Sequence, residues 1–154
     1  METVSNNILL LSIKPQFAEK ILIGEKTVEL RKSFPNKINN GDYLLIYVTS
    51  PEKVVKGICV IDSIISKSPE SLWNRVKNEI GITKSEYETY YQDCRIAHGI
   101  VLKDVELFDK PIKLSELRRI FPNFNPPQTY CYFNMNDFQN SELEYNLNAP
   151  TYSY

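Results

Sequence analysis

The sequence contains little of the chemistry on which most metal-binding and disulfide-bonded proteins depend. Its 154 residues include one histidine and three cysteines, Cys59, Cys94 and Cys131. The cysteines are odd in number and widely spaced, and they form no C-x-x-C pair, so neither a disulfide framework nor a zinc site is predicted. We therefore expect buried thiols, no bound metal and no cofactor.

A long apolar run is also missing. No stretch reaches the roughly 18 apolar residues of a membrane-spanning helix, and the first residues lack the basic-then-apolar layout of a signal peptide. We expect a soluble, cytoplasmic chain without a membrane partner. The length and a hydrophobic fraction of 42% are typical of one globular domain.

The chain lacks the basic surplus of a protein that binds duplex DNA through many phosphates, because its formal net charge is -1. The charge is unevenly distributed. Residues 1–67 carry 9 basic against 7 acidic side chains, and residues 68–154 carry 9 against 12. This asymmetry is compatible with ordinary solvated surface, but any nucleic-acid contact is expected on the first half.

The spacing of apolar residues predicts an α+β chain with a small mixed β-barrel, short flanking helices and a helical insert. Residues 1–134 form the predicted domain. Residues 135–154 form an acidic, polar tail that either covers the barrel or is partly disordered. Strands are predicted over 8–13, 27–31, 43–48, 54–65, 95–108 and 129–133, and helices over 15–23 and 114–120. The insert begins at Ser68, and its two helices are separated by Gly81 and capped again at Thr83.

The most informative segment is Gly24-Glu25-Lys26-Thr27-Val28-Glu29-Leu30-Arg31. Alternation along a strand places Glu29 and Arg31 on one face, and Lys26 lies at the start of that strand. The three charges are therefore predicted to converge, either on a small polar ligand or in a salt-bridge network that shapes the entrance of a pocket.

The segment fits the G-x-K-x-x-E-x-R signature and resembles the ASCH domain family, small cytoplasmic modules with a PUA-like β-barrel that are associated with RNA. Three further landmarks resemble the family in the same order: Leu11-Ser12-Ile13-Lys14-Pro15 with Phe17-Ala18, Ile46-Tyr47-Val48-Thr49-Ser50-Pro51, and Pro126-Pro127-Gln128-Thr129-Tyr130. The resemblance extends from Ile8 to Phe133. It implies a PUA-like barrel and an RNA or modified-nucleoside partner.

Some ASCH proteins are amidohydrolases that remove the acetyl group of N(4)-acetylcytidine with a Lys, a Thr three residues later and a later Glu. By resemblance, Lys26 matches the Lys and Glu79 is the candidate for the later Glu. Glu29 stands where that subgroup has Thr, so it can act only as a base or through a less stable anhydride. The catalytic candidates are thus Lys26, Glu29 and Glu79. Ribonuclease activity is also associated with the family.

The predicted function is binding of RNA or a modified nucleotide in a cleft lined by the motif. The alternatives are an amidohydrolase that depends on Lys26 and a coregulator module that binds protein. His98 is assigned no catalytic role. The candidate ligand-binding residues are Ser12, Lys14, Lys26, Glu29, Arg31, Tyr47, Thr49, Ser50 and Gln128, which offer charges, a flat aromatic wall, hydroxyls and an amide for a base edge.

Overall fold

A computed structural model describes residues 7–33, 36–120, 122–126 and 130–134. It contains six strands and four short helices within those residues. They are β1 (Asn7–Ile13), α1 (Pro15–Leu22), β2 (Val28–Arg31), β3 (Tyr43–Val48), β4 (Val54–Lys67), α2 (Pro69–Val76), α3 (Lys84–Tyr90), β5 (Ala97–Lys113), α4 (Leu114–Ile120) and β6 (Tyr130–Asn134).

The strands form one mixed sheet in the order β2-β5-β4-β3-β1-β6, so β2 and β6 are its edges. β1 and β3 are parallel, and the other pairs are antiparallel. The long strands β4 and β5 shift register three times, and such bulges bend a sheet. The sheet consequently curves into a half-barrel, and the predicted α+β barrel with a helical insert is confirmed.

Three apolar clusters fill the two faces of the sheet. The central cluster lies under α1, the α4 cluster lies on the other face, and the insert cluster lies where α2 and α3 cover β2 and the start of β5. Representative members are Leu9, Leu11, Ile46 and Ile100 in the central cluster, Ile8, Leu10, Tyr47 and Leu117 in the α4 cluster, and Val28, Leu30, Leu72 and Tyr91 in the insert cluster.

Local signals in the sequence explain the starts of the insert helices. Ser68 caps α2 by accepting the amide of Ser71 at 3.3 Å, and Thr83 forms a capping box with Glu86. The first insert helix ends at Val76, earlier than predicted, and a turn continues to Gly81, whose φ is +70°. That turn carries the backbone groups that hold the motif.

The predicted strand ending at Phe108 was too short. β5 continues to Lys113 because Ile112 pairs with Val55 and is buried with Phe108 in the α4 cluster. The register of β4 and β5 shifts between the pairs Val55–Ile112 and Gly57–Leu107, and this shift accommodates the extra residues of β5 between Leu107 and Ile112. The predicted tail, 135–154, lies outside the described residues. Within the described ranges, no helix is long and apolar enough to cross a membrane.

Candidate functional site

The first residues of the motif strand are bonded to the helical insert. The amides of Thr27 and Val28 both donate to the carbonyl of Glu79, at 2.9 and 3.1 Å. Before the strand, Gly24 has a φ of +86°, which favours glycine and allows a sharp turn after α1. The turn places Lys26 between α1 and the insert.

Lys26 is almost completely buried, with 4% of its surface exposed. Its Nζ donates to the carbonyls of Val28 and Ile80, at 2.9 and 2.8 Å, and lies 3.6 Å from Oε1 of Glu29. Burial lowers the pKa of Lys26, whereas the charge of Glu29 acts to raise it. Three acceptors therefore surround an ammonium that has three protons to donate.

Glu29 lies between two cations. Its Oε2 is 2.9 Å from Nη2 of Arg31, while Oε1 faces Lys26. Glu29 is registered with Ile100, and Arg31 with His98, so both motif side chains are on the face of the central cluster. The structure brings the three predicted charges together as one buried cluster with two positive charges and one negative charge.

Arg31 connects the edge strand β2 to the far side of the sheet. Its Nη2 donates to the carbonyl of Ser12 at 3.2 Å. The ladder between β1 and β6 ends at Leu11 and Tyr130, so the Ser12 carbonyl lies just beyond it. Arg31 Nε is buried and has no hydrogen-bond partner among the described residues. A buried donor without an acceptor is costly, and a ligand or water commonly occupies such a position.

Other predicted binding residues lie at the end of the parallel pair β1 and β3. Ser12 is registered with Tyr47, and the amide of Thr49 donates to the carbonyl of Ile13 at 3.1 Å. Lys14 and Ser50 are exposed, and Thr49 is half-buried. Because the Ser12 carbonyl also binds Arg31, these residues lie at the same end of the half-barrel as the guanidinium.

Two predicted residues are not brought into the charge cluster. Tyr47 is 2% exposed and points into the α4 cluster, on the face opposite Glu29 and Arg31. Glu79 contributes its backbone carbonyl, while its side chain is exposed. Gln128 lies outside the described residues.

His98 is a neighbour of the site that sequence reasoning did not identify. It is registered with Arg31 on one side and with Ser66 on the other, and its Nδ1 lies 2.8 Å from Oγ of Ser66. The hydroxyl of Tyr91 lies 3.2 and 3.1 Å from the carbonyl oxygens of Arg31 and His98 and shares its single proton between them. Only the register of distant strands reveals this neighbourhood, so the sequence contains no signal for it.

The arrangement can bind an anion or an acceptor-rich group, because a partly exposed guanidinium lies at the rim of a buried cluster with surplus positive charge. Within the described ranges, no group of three or more His, Cys, Asp or Glu side chains is positioned to hold a metal ion.

Comparison with known proteins identifies relatives over most of the chain. Residues 9–121 match the family described as Domain of unknown function (DUF365). An ASCH domain-containing ribonuclease from Zymomonas mobilis is 31% identical over 129 residues, which cover 84% of this chain and 86% of that protein. Large ribosomal subunit protein uL22 from Ureaplasma parvum is 32% identical over 116 residues, which cover 75% of this chain and only 37% of that protein.

The fold agrees with these sequence matches. The crystal structure of an ASCH protein from Zymomonas mobilis superposes with a TM-score of 0.81 at 30% identity, covering 86% of this chain and 91% of that chain. The chain therefore belongs to the ASCH domain family, and its half-barrel is a PUA-like fold.

Proposed function

We propose that this protein binds single-stranded RNA, or a modified nucleotide within it, at the end of the half-barrel marked by Arg31. The observation that carries the proposal is the buried cluster of Lys26, Glu29 and Arg31. Its side chains are only 4%, 9% and 11% exposed, and it contains one more positive than negative charge.

A surplus charge out of water is costly unless a partner compensates it. A phosphate, or the acceptor edge of a base, meets that need at Arg31 because the guanidinium is planar and pre-aligned by Glu29. Lys26 is less suited to direct contact, since its three donor positions are directed at Val28, Ile80 and Glu29.

Aromatic rings next to this end of the sheet support single-stranded rather than duplex RNA. Tyr130 pairs with Leu11, the neighbour of Ser12, and is half-buried at the edge strand β6. Tyr132 pairs with Leu9, further along β1, is also half-buried, and has the Lys37 ammonium 5.7 Å from its ring centroid. The centroids of the two tyrosine rings are 5.6 Å apart. Partly exposed rings beside an arginine are typical of surfaces on which unpaired bases stack.

The names of the relatives also support an RNA partner. One relative of nearly the same length is named a ribonuclease, and another is a protein of the large ribosomal subunit. The match with the ribosomal protein covers about a third of it, so that comparison supports only a shared domain.

The test is fluorescence anisotropy with a labelled single-stranded RNA, the same sequence as DNA, and the RNA duplex. We expect the single-stranded RNA to bind most tightly. Arg31→Lys keeps the charge but removes the guanidinium fork, and losing one charge-assisted bond should weaken binding about tenfold. The matched control is Arg75→Lys, at an exposed arginine of α2.

Thermal unfolding of both variants shows whether the fold is retained. Equal RNA affinity of native protein and a folded Arg31→Lys variant would contradict the proposed site. Failure of the native protein to bind any RNA at low salt would contradict RNA binding itself and favour a protein-interaction module.

A second candidate function is RNA cleavage, and the specific support is the match over 86% of a protein named a ribonuclease. In such a reaction a ribose 2′-hydroxyl gives its proton to water and its oxygen bonds the adjacent phosphorus, while the bond to the 5′-oxygen breaks and that oxygen takes a proton from water, which leaves a 2′,3′-cyclic phosphate. Arg31 would stabilise the negative charge that develops on the phosphate oxygens. Incubation with RNA and with the same strand lacking 2′-hydroxyls tests this. Cleavage of RNA alone supports the candidate, and intact RNA refutes it.

A further inference from the structure

A second basic site lies at the end of the sheet that contains Ser12, the residue whose carbonyl Arg31 contacts. A shallow groove of about 720 Å³ is lined by Lys56, Lys110 and Lys113, together with Glu52, Glu116 and Pro111. It is formed by the start of β4, the end of β5 and the first turn of α4. No residue of the charge cluster lines it.

The register of the sheet connects the groove with the Arg31 site. Ile13 is registered with Val48, Val48 with Val54, and Val54 with Lys113. These residues form one row across four adjacent strands, from the neighbour of Ser12 to the groove. With strands about 4.8 Å apart, the row spans roughly 14 Å. A single extended strand of RNA is long enough to cover it.

The row is bordered by side chains that suit a sugar-phosphate backbone. Lys14 follows Ile13 and is exposed, and Thr49 and Ser50 follow Val48. Hydroxyl groups and exposed lysines contact phosphates and sugars without selecting a sequence. The surface between the two sites therefore contains donors.

Two acidic side chains also line the groove, so its three lysines leave a net charge of +1. Glu52 forms an ion pair with Lys56, and Glu116 accepts the backbone amide of Lys113 at 2.9 Å. Lys110 and Lys113 are exposed and form no ion pair with the other described residues. Two lysines thus remain available for an anion.

We propose that this groove is a second RNA subsite, in which Lys110 and Lys113 bind the phosphodiester backbone of a strand whose neighbouring segment occupies the Arg31 site. The inference rests on the proposed RNA-binding function and specifies the path of the strand. The groove lysines contribute charge without base recognition, so their contribution depends on salt and is insensitive to sequence.

The experiment measures binding of a labelled 15-residue oligouridylate at several salt concentrations. The variant is Lys110→Gln with Lys113→Gln. The matched control is Lys77→Gln with Lys84→Gln, which removes the same charge at exposed positions of the helical insert, after α2 and at the start of α3.

Each phosphate contact with a single strand contributes about 0.7 to the slope of log K against log salt, so two lost contacts should lower the slope by about 1.4. This corresponds to a loss in affinity of roughly 25-fold at 0.1 M salt and roughly 5-fold at 0.3 M. The control variant should retain most of the native slope.

The outcomes separate the inference from the function on which it rests. If the native protein binds the oligonucleotide and the groove variant behaves like its control, the groove subsite is wrong and RNA binding stands. If the groove variant alone loses the predicted slope, the subsite is supported. If the native protein does not bind, both proposals are wrong.

Discussion

Replacing Lys26 with methionine should destabilise the fold strongly, because this lysine joins parts of the chain that are far apart in sequence. Its Nζ bonds the carbonyls of Val28 and Ile80, and Ile80 lies 54 residues along the chain. Methionine preserves most of the volume and removes every donor. Both carbonyls would then lose their ammonium partner inside the protein.

The magnitude follows from the contacts. Hydrogen bonds from a charged donor contribute about 1.5 to 3 kcal/mol each, and two are lost. The lowered pKa of Lys26 shows that burying the ammonium is itself costly, so removing it returns part of that free energy. We therefore expect a net loss near 3 kcal/mol, which corresponds to a drop in Tm of roughly 6 to 12 °C in a chain of this length.

The assay is thermal unfolding followed by circular dichroism, with urea unfolding as a second measurement. Lys20→Met is the matched control, since Lys20 Nζ makes one bond, 2.7 Å long, to the carbonyl of Gly81 and is only partly buried. The Lys20→Met substitution should lower the free energy of unfolding by about 1 kcal/mol. A Tm change below about 2 °C in Lys26→Met would refute the structural role and leave Lys26 available for a ligand.

Three further predictions concern the core and the chemistry. Burial raises the pKa of Tyr87 to about 12, so its contribution to stability is complete below the unfolded pKa of 10.0 and is lost as pH rises toward 12. The free energy of unfolding should therefore fall between pH 10 and pH 12, and it should fall less in Tyr87→Phe. If urea titrations show the same decrease with pH in both proteins, the raised pKa of Tyr87 is contradicted. Gly57→Ala places a Cβ 2.6 Å from the Glu106 carbonyl, and should cost at least about 2 kcal/mol, against about 1 kcal/mol for Gly24→Ala, where φ is +86° and the space is open. Comparable losses in Tm would show that β4 and β5 separate easily. Finally, the Lys26 ammonium is enclosed by acceptors, so we expect the protein to leave N(4)-acetylcytidine intact. Chromatography after incubation checks this, and the appearance of cytidine would establish the amidohydrolase alternative.

The sequence was sufficient for those parts of the fold that depend on local patterns. The apolar run before Pro15 predicts β1, and Thr83 predicts the cap that begins α3. Alternation also places Glu29 and Arg31 on one face, because side chains along a strand repeat every two residues. These features require only a few neighbouring residues, so no tertiary information is needed.

The composition of the site depends on register, which the sequence does not contain. Because side chains alternate along a strand, Tyr47 and Ile46 must lie on opposite faces of the sheet. The alternation does not show which of these faces carries the charge cluster. The pairing of β1 with β3 decides this and turns Tyr47 toward α4. His98 lies beside Arg31 for the same reason. Glu79 was predicted for its carboxylate, yet its carbonyl holds the motif strand.

The carboxylate of Glu29 explains why Lys26 and Arg31, which belong to one short segment, can have different roles. Oε1 faces Lys26 at 3.6 Å and Oε2 faces Arg31 at 2.9 Å, so one side chain compensates part of the charge of both. A threonine at this position would supply no charge, and burial would then lower the pKa of Lys26 further and favour a reactive amine. Glu29 instead favours the ammonium, which remains bonded to the carbonyls of Val28 in β2 and Ile80 in the insert. Since Lys26 is held in this way, Arg31 is the cation of the cluster that reaches the end of the half-barrel, and its more exposed guanidinium is the group most suited to an incoming anion.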